Sequence, residues 1–146
     1  MISTFWLLLS PVSSQERRPD AEVKQFLARF IRAFDDLDWE TFRHSFSDDA
    51  TVFYPRGIPE RATGRAEFEK NFKVVFEQIR VGRKTPPYMD IQPRDMATQL
   101  FGDTAIATFP LDDRVGFVNR RTIALRRTGA GWKIVHLHAS EVATEH

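Results

Sequence analysis

Cysteine is absent from this 146-residue chain. A disulfide framework, a thiolate nucleophile and a cysteine-based metal centre are all excluded by that alone. An excess of either charge is missing too: 21 Lys and Arg stand against 20 Asp and Glu, a formal net charge of +1. So even a balance carries no footprint of nucleic acid and no sign of an acidic partner. The chain has no Gly-rich phosphate loop, no G-x-S-x-G elbow, no H-E-x-x-H and no Cys–His pair. Nucleotide-dependent and covalent hydrolytic mechanisms lose their usual machinery. Internal repeats and low-complexity runs are also lacking. The apolar block Phe5–Leu9 is too short to cross a membrane as a helix.

Phenylalanine is what the chain has in quantity, with 13 residues. Such a bulky aromatic interior suits dense packing or an apolar pocket. The length corresponds to one domain, able to bury about two-thirds of the surface its unfolded chain exposes. Residues 1–15 stand apart from that domain. Ile2 and Phe5–Leu9, followed by Pro11-Val12-Ser13-Ser14, resemble the core and cleavage site of a secretory signal peptide. That reading implies a periplasmic or secreted protein. No Lys or Arg precedes the block, and the alternative is a disordered apolar leader on a cytoplasmic one.

Pro19, Asp20 and Glu22 suit the first turn of a helix, where proline needs no amide partner and acids meet the positive end. Val23, Phe26, Leu27, Phe30, Ile31 and Phe34 then recur at steps of three and four, which predicts an amphipathic helix. Asp38 caps a second, shorter helix with Trp39, Phe42 and Phe46 on its buried face, ended by Ser47-Asp48-Asp49. His44 falls on its exposed side. Ala50–Tyr54 reads as a strand stopped by Pro55 and Gly57. A third helix opens near Thr63-Gly64 and carries Phe68, Phe72, Val75, Phe76 and Ile79 to about Arg80.

Beyond the linker 82–87 the pattern turns to strands. One runs from about Met89 to Leu100, with Pro93 demanding an edge or a bulge. Gly102-Asp103 turns the chain into Thr104–Leu111; Val115–Arg127 follows, then a turn at 128–131 and a last strand, Trp132–Ser140. Consecutive strands imply an antiparallel sheet with the helices on one face, an α+β fold. Three helices against a twisted sheet leave a space suited to a ligand. Strict alternation puts Trp132, Ile134, His136, His138 and Ser140 on one side of the last strand, and Val135, Leu137 and Ala139 on the other. Both sides are apolar enough to need cover, from helices on one face and a second subunit on the other.

The helix pair with Phe26, Phe30, Phe34 and Trp39, then Asp48-Asp49-Ala50-Thr51-Val52, Gly64-Arg65, Phe101-Gly102-Asp103-Thr104-Ala105 and the Trp132–Ser140 strand together resemble one family. It is the SnoaL-like branch of the nuclear transport factor 2-like (NTF2-like) superfamily, over roughly residues 20–142. The resemblance implies a cone-shaped α+β fold, three helices on a curved, mostly antiparallel sheet, with a pocket at the wide end. It also implies a homodimer through the outer sheet face. Members include ketosteroid isomerases, polyketide cyclases, dehydratases and pocket proteins with no known reaction. The last strand further resembles the association domain of calcium/calmodulin-dependent kinase, a ring-forming hub. That hub has an arginine after its second histidine, where this chain has Ala139.

Candidate site residues follow. His136 and His138, about 7 Å apart on one strand face, suit a general base with a hydrogen-bond donor, a pair of metal ligands, or a subunit contact. A metal would need a third ligand, and the spacing selects none of Asp112, Asp113 and Glu141. The hub arginine argues that the Ala139 side faces inward and the histidines outward. Tyr54 can offer a hydroxyl to a developing oxyanion or serve as a rim aromatic. Arg120 and Arg121 face opposite sides of the sheet; an inward arginine needs a carboxylate or an anionic ligand, a strand-end arginine reaching solvent is the alternative, and Arg121 is the ligand-binding candidate. Phe34, Trp39 and Phe72 are candidate ligand-binding aromatics. Asp35, Asp36 and Asp38 sit at the helix junction, where the resemblance would allow a catalytic acid, and capping and solvation already explain them; the loop 56–65, with Arg56, Arg61 and Arg65, is a solvated loop or a lid. The ligand expected is small, apolar or carbonyl-bearing. Any chemistry would be proton transfer without metal or cofactor: isomerisation, dehydration or cyclisation.

Overall fold

The computed structural model describes residues 14–144, with the backbone alone at 14–17 and 112–114. The expected leader lies outside the described residues, apart from Ser14 and Gln15. These two begin the first helix, α1 (Ser14–Asp35). It starts five residues before Pro19, which sits inside it; the apolar stripe begins only at Val23, so nothing in the periodicity marks that first turn. Val23, Leu27, Phe30 and Ala33 are buried as the stripe requires.

α2 (Trp39–His44) is capped as expected: the Asp38 carboxylate accepts from the Thr41 amide at 3.2 Å. It ends sooner than its pattern suggests. β1 (Phe46–Phe53) begins four residues before the expected strand, because Phe46 pairs with Ile134 and is fully buried there. Sheet pairing overrides the helical spacing of Phe42 and Phe46. A two-residue strand, β2 (Ala62–Thr63), pairs antiparallel with β1 and was read as loop in the sequence. Gly64 follows at φ 82°, a conformation open to glycine, and α3 (Arg65–Gly82) starts at once. The Glu67 carboxylate reaches back past the N-cap Gly64 to accept from the Thr63 amide at 2.7 Å.

The expected strand from Met89 shrinks to β3 (Ala97–Phe101). Residues 88–91 are instead drawn onto the end of α1, where the Tyr88 amide donates to the Asp35 carbonyl. β4 (Thr104–Arg114), β5 (Phe117–Thr128) and β6 (Gly131–Ala143) then form a long meander. The six strands lie in the order β2-β1-β6-β5-β4-β3, with β1 and β6 parallel and every other pair antiparallel. The sheet is curved and does not close, and the helices share its concave face: α+β, as predicted.

Aromatic rings fill the space between. Phe42 is their centre, with ring centroids at 4.8 Å from Phe72, 4.9 Å from Phe76, 5.3 Å from Phe30 and 5.4 Å from both Phe34 and Phe46. A six-residue helix cannot hold itself together in water. Its place is kept by this one buried side chain.

The last strand departs from strict alternation. Leu125 pairs with Ile134 and Ala124 with His136, so Val135 is an extra residue, and the register with β1 shifts at the same level. This bulge reverses the side on which later residues point. Trp132 and Ile134 face the core, and so do Leu137 and Ala139. The two sets were expected on opposite faces.

Candidate functional site

A cavity of about 550 Å³ lies between α1, α3 and the concave face of the sheet. Its inner wall is aromatic and aliphatic, from Phe34 and Ile31 of α1 and Phe72, Val75 and Ile79 of α3. The sheet supplies the floor through residues at alternate positions: Asn119, Arg121 and Ile123 on β5, Leu137 and Ala139 on β6. These two rows are in register, since Arg121 is the partner of Ala139 and Ile123 of Leu137. Phe34, Phe72 and Arg121, three of the candidate ligand-binding residues, all line this cavity. Arg120 takes the outer face, as parity demands, and its Nε donates to the Ser140 hydroxyl at 3.2 Å. The Arg121 guanidinium donates to the Arg120 carbonyl at 3.1 Å.

Asn119, 1% exposed, was not singled out in the sequence. The signal was there: it sits two residues from Arg121 and therefore shares its face. Met89 and Ile91, also cavity walls, were read as strand and carried no such signal. Trp39 is corrected. It does not line the cavity; its ring packs edge-on to Phe76 at 5.5 Å, with Lys73 over its face at 5.4 Å. Trp39 stands one turn before Phe42 on the same side of α2, its ring 6.3 Å from that of Phe42, and only Phe42 reaches the cavity.

Tyr54 follows the last residue of β1, and its ring lines the cavity, 5.2 Å from that of Phe72. Its hydroxyl, however, is buried with no hydrogen bond of ordinary geometry, facing Asn71 rather than open space. Burial pushes the phenol up to about 12, against a smaller downward pull from Asn71. The group is therefore a neutral donor at physiological pH and no base.

Two segments close the cavity at its rim. Arg56, on the loop after β1, lines it and donates to the Glu141 carboxylate at 2.6 Å. Gly57, next to Arg56, turns this loop at φ 79°. On the other side both carboxylate oxygens of Asp35 accept from the Ile91 amide, at 3.0 and 3.1 Å. Burial first, then repulsion from Asp90 and Asp36, raise the Asp35 pKa against that bond. The sequence assigned Asp35 to capping and solvation; it is instead half-buried, because residues 88–91 fold back over it. Arg65 is no lid residue: it opens α3 and donates to Asp48 at 2.6 Å and Glu69 at 3.0 Å.

His136 and His138 do not line the cavity. The Val135 bulge sends both to the convex face, with ring centroids 6.4 Å apart in a T-shaped arrangement. Phe53 of β1 packs against both, at 6.0 and 5.4 Å. His136 Nδ1 lies 2.7 Å from the Thr51 hydroxyl. Burial first, then the charges of His138 and Arg61, lower its pKa. His44 is exposed as expected, its Nδ1 at 2.8 Å from the Glu40 carbonyl. Among the described residues no three His, Cys, Asp or Glu side chains are gathered to hold a metal; the side chains of Asp112 and Asp113 lie outside them. No described helix is long and apolar enough to cross a membrane.

A family model described as a SnoaL-like domain matches residues 23–145. Among solved structures, the chain is similar to a proposed dehydratase of the NTF2-like family from Streptomyces avermitilis. The two are 21% identical over 90% of this chain and 100% of that one, with a TM-score of 0.71. It is also similar to a proposed ketosteroid isomerase from Parabacteroides distasonis, at 19% identity over 82% and 85%, TM-score 0.62. A third likeness is the CaMKII hub of S. rosetta, at 25% identity over 84% and 95%, TM-score 0.62. Identities this low carry the fold and leave the chemistry open. No curated protein matches the chain.

Proposed function

Because the chain belongs to the SnoaL-like domain family, we propose that it binds a small, largely apolar molecule with a hydrogen-bond acceptor, in the cavity on the concave side of the sheet. The observation that supports this is the cavity itself, about 550 Å³ with an aromatic and aliphatic wall and a few polar side chains, on the floor and at the rim. That volume is in the range of ligand sites, and a few placed donors in an apolar wall set orientation. Proton-transfer chemistry without a cofactor, as isomerase, dehydratase or cyclase, needs a base at the ligand. Among the described residues the titratable groups that line the cavity are Tyr54, Arg56 and Arg121, and none is a base at neutral pH. Binding without turnover is therefore the favoured reading. The test is calorimetric titration with 2-acetylnaphthalene: one molecule per protomer is expected. No binding at millimolar probe would overturn it.

A second reading concerns assembly. We propose a homodimer through the convex face, which carries His136, His138 and Phe53 beside Ala124 and Ile106. His136 and Phe53 are already half-buried there in the single chain, so little further desolvation is needed. The likeness to a hub structure supports the same idea. Sedimentation at micromolar protein should give a dimer, and Thr122→Lys, which adds a cation beside His138, should give a monomer of unchanged fold. A monomer from the unmodified protein would reject it.

A further inference from the structure

We infer that the homodimer of the convex face is controlled by pH, with His136 and His138 as the sensing groups, and that acid converts it to folded monomers. This rests on the dimer reading above and adds its regulation. The two imidazoles stand on β6, a central strand, with ring centroids 6.4 Å apart. Imidazole is the side chain whose ordinary titration falls between pH 5 and 8. What surrounds the pair decides what charging it does. Strand pairing gives His136 the neighbours Thr51 on β1 and Ala124 on β5, and gives His138 the neighbours Phe53 and Thr122. All four are uncharged. The charges that act on His136 are those of His138 and of Arg61, ahead of β2, and both are positive. Farther along β5, Arg120 shares the face and donates to the Ser140 hydroxyl at 3.2 Å. The Asp49 carboxylate, two residues before Thr51 on β1, stands 3.7 Å from Arg126. None of these positions offers a counter-charge to an imidazolium.

Symmetry multiplies the effect. A twofold interface sets the same patch of each copy against the other, so the imidazoles of both copies share one contact. Neutral, they pack as aromatic rings, as Phe53 already does against both, at 6.0 and 5.4 Å. Charged, they meet like charges in a region from which association removes water, and both effects disfavour the ionised form. The dimer therefore takes up protons less readily than the monomer, and mass action turns that difference into dissociation as the pH falls. The single chain has the same sign: burial first, then His138 and Arg61, hold His136 below its ordinary value. Thr122→Lys sets a fixed cation on the face where acid sets a titratable one.

The experiment follows the dimer dissociation constant of the intact protein by sedimentation equilibrium at pH 7.5, 6.5 and 5.5 and constant ionic strength. The constant is expected to rise at least tenfold across that range, since each proton taken up on dissociation is worth about tenfold per pH unit. Near-UV circular dichroism should stay unchanged, and a return to pH 7.5 should restore the dimer. The double variant His136→Asn/His138→Gln should keep one constant at pH 5.5 and 7.5. A change of less than about twofold in the unmodified protein would overturn the inference, and so would a rise that the double variant shares. Loss of the near-UV signal together with the dimer would place the acid effect in the fold and overturn it as well. Where the double variant does not dimerise, dilution calorimetry of the unmodified dimer at pH 5.5, in buffers of different ionisation enthalpy, counts the protons instead. Uptake of about one proton or more per dimer supports the inference, and none overturns it. A dimer indifferent to pH leaves the assembly reading standing, whereas a monomer at pH 7.5 removes both.

Discussion

Arg121 and Ala139 are partners across β5 and β6, and both face the cavity. The smallest side chain on that part of the floor lies opposite the largest. Ala139 is 5% exposed, so its Cβ already touches its surroundings. Ala139→Leu should fill the cavity floor and reduce probe binding at least tenfold. Overpacking of this kind costs about 1–3 kcal/mol, so a urea midpoint that falls modestly while binding is lost would agree. Unchanged binding would show that the ligand does not reach this corner.

Asp35 holds one wall of the cavity through the Ile91 amide. Asp35→Ala should leave that part-buried donor unsatisfied, at a cost of about 1–3 kcal/mol, and speed hydrogen exchange at Ile91. Asp35→Asn keeps an acceptor and removes the repulsion from Asp36 and Asp90. Because the folded-state pKa of Asp35 is raised, the folded state binds this proton more tightly than the unfolded one, and ionisation costs stability as pH rises through the folded value. Asn should therefore equal or exceed Asp in stability at pH 7, and lose that advantage in acid. Equal destabilisation by Ala and Asn would refute the bond's role.

His136 titrates in the opposite sense. Its folded pKa is lowered from 6.5 by burial, His138 and Arg61. The unfolded chain then binds the proton first as pH falls, so stability declines from about pH 6.5 downward until the folded value is passed. Denaturation midpoints measured from pH 7.5 to 5 should show the decline, and His136→Asn should flatten it. Imidazole NMR should place His136 below the unperturbed range; a titration at or above 6.5 would contradict the packing of the convex face.

Phe42 joins α2 to the rest of the core through Phe30, Phe34, Phe46, Phe72 and Phe76. Phe42→Ala should cost about 3–5 kcal/mol, read from chemical denaturation. Phe101→Ala, at a side chain 58% exposed, should cost almost nothing. Comparable losses at the two positions would mean that the ring cluster is not what holds α2.

Much of this molecule was legible as pattern. The stripe of α1, the Asp38 cap, the start of α3 and the meander from β4 to β6 all follow from local periodicity and turn chemistry, which neighbouring residues decide among themselves. Opposite faces for Arg120 and Arg121 follow from the two-residue period of a strand. Pattern failed where a distant segment won. Phe46 kept a helical spacing yet joined a strand, because Ile134, far along the chain, offered it a partner. Residues 89–92 looked like strand and became a wall, because Asp35 captured the Ile91 amide.

The composition and spacing of the chain determined by themselves that helices would cover one face of a sheet and that aromatic rings would fill the gap. Which face of the last strand looks into the cavity was settled only by the tertiary structure. A side chain's direction along a strand depends on counting by twos, and one extra residue, Val135, resets the count. It turned two histidines outward and two apolar residues, Leu137 and Ala139, inward, and pairing with strands on both sides is what accommodates that residue.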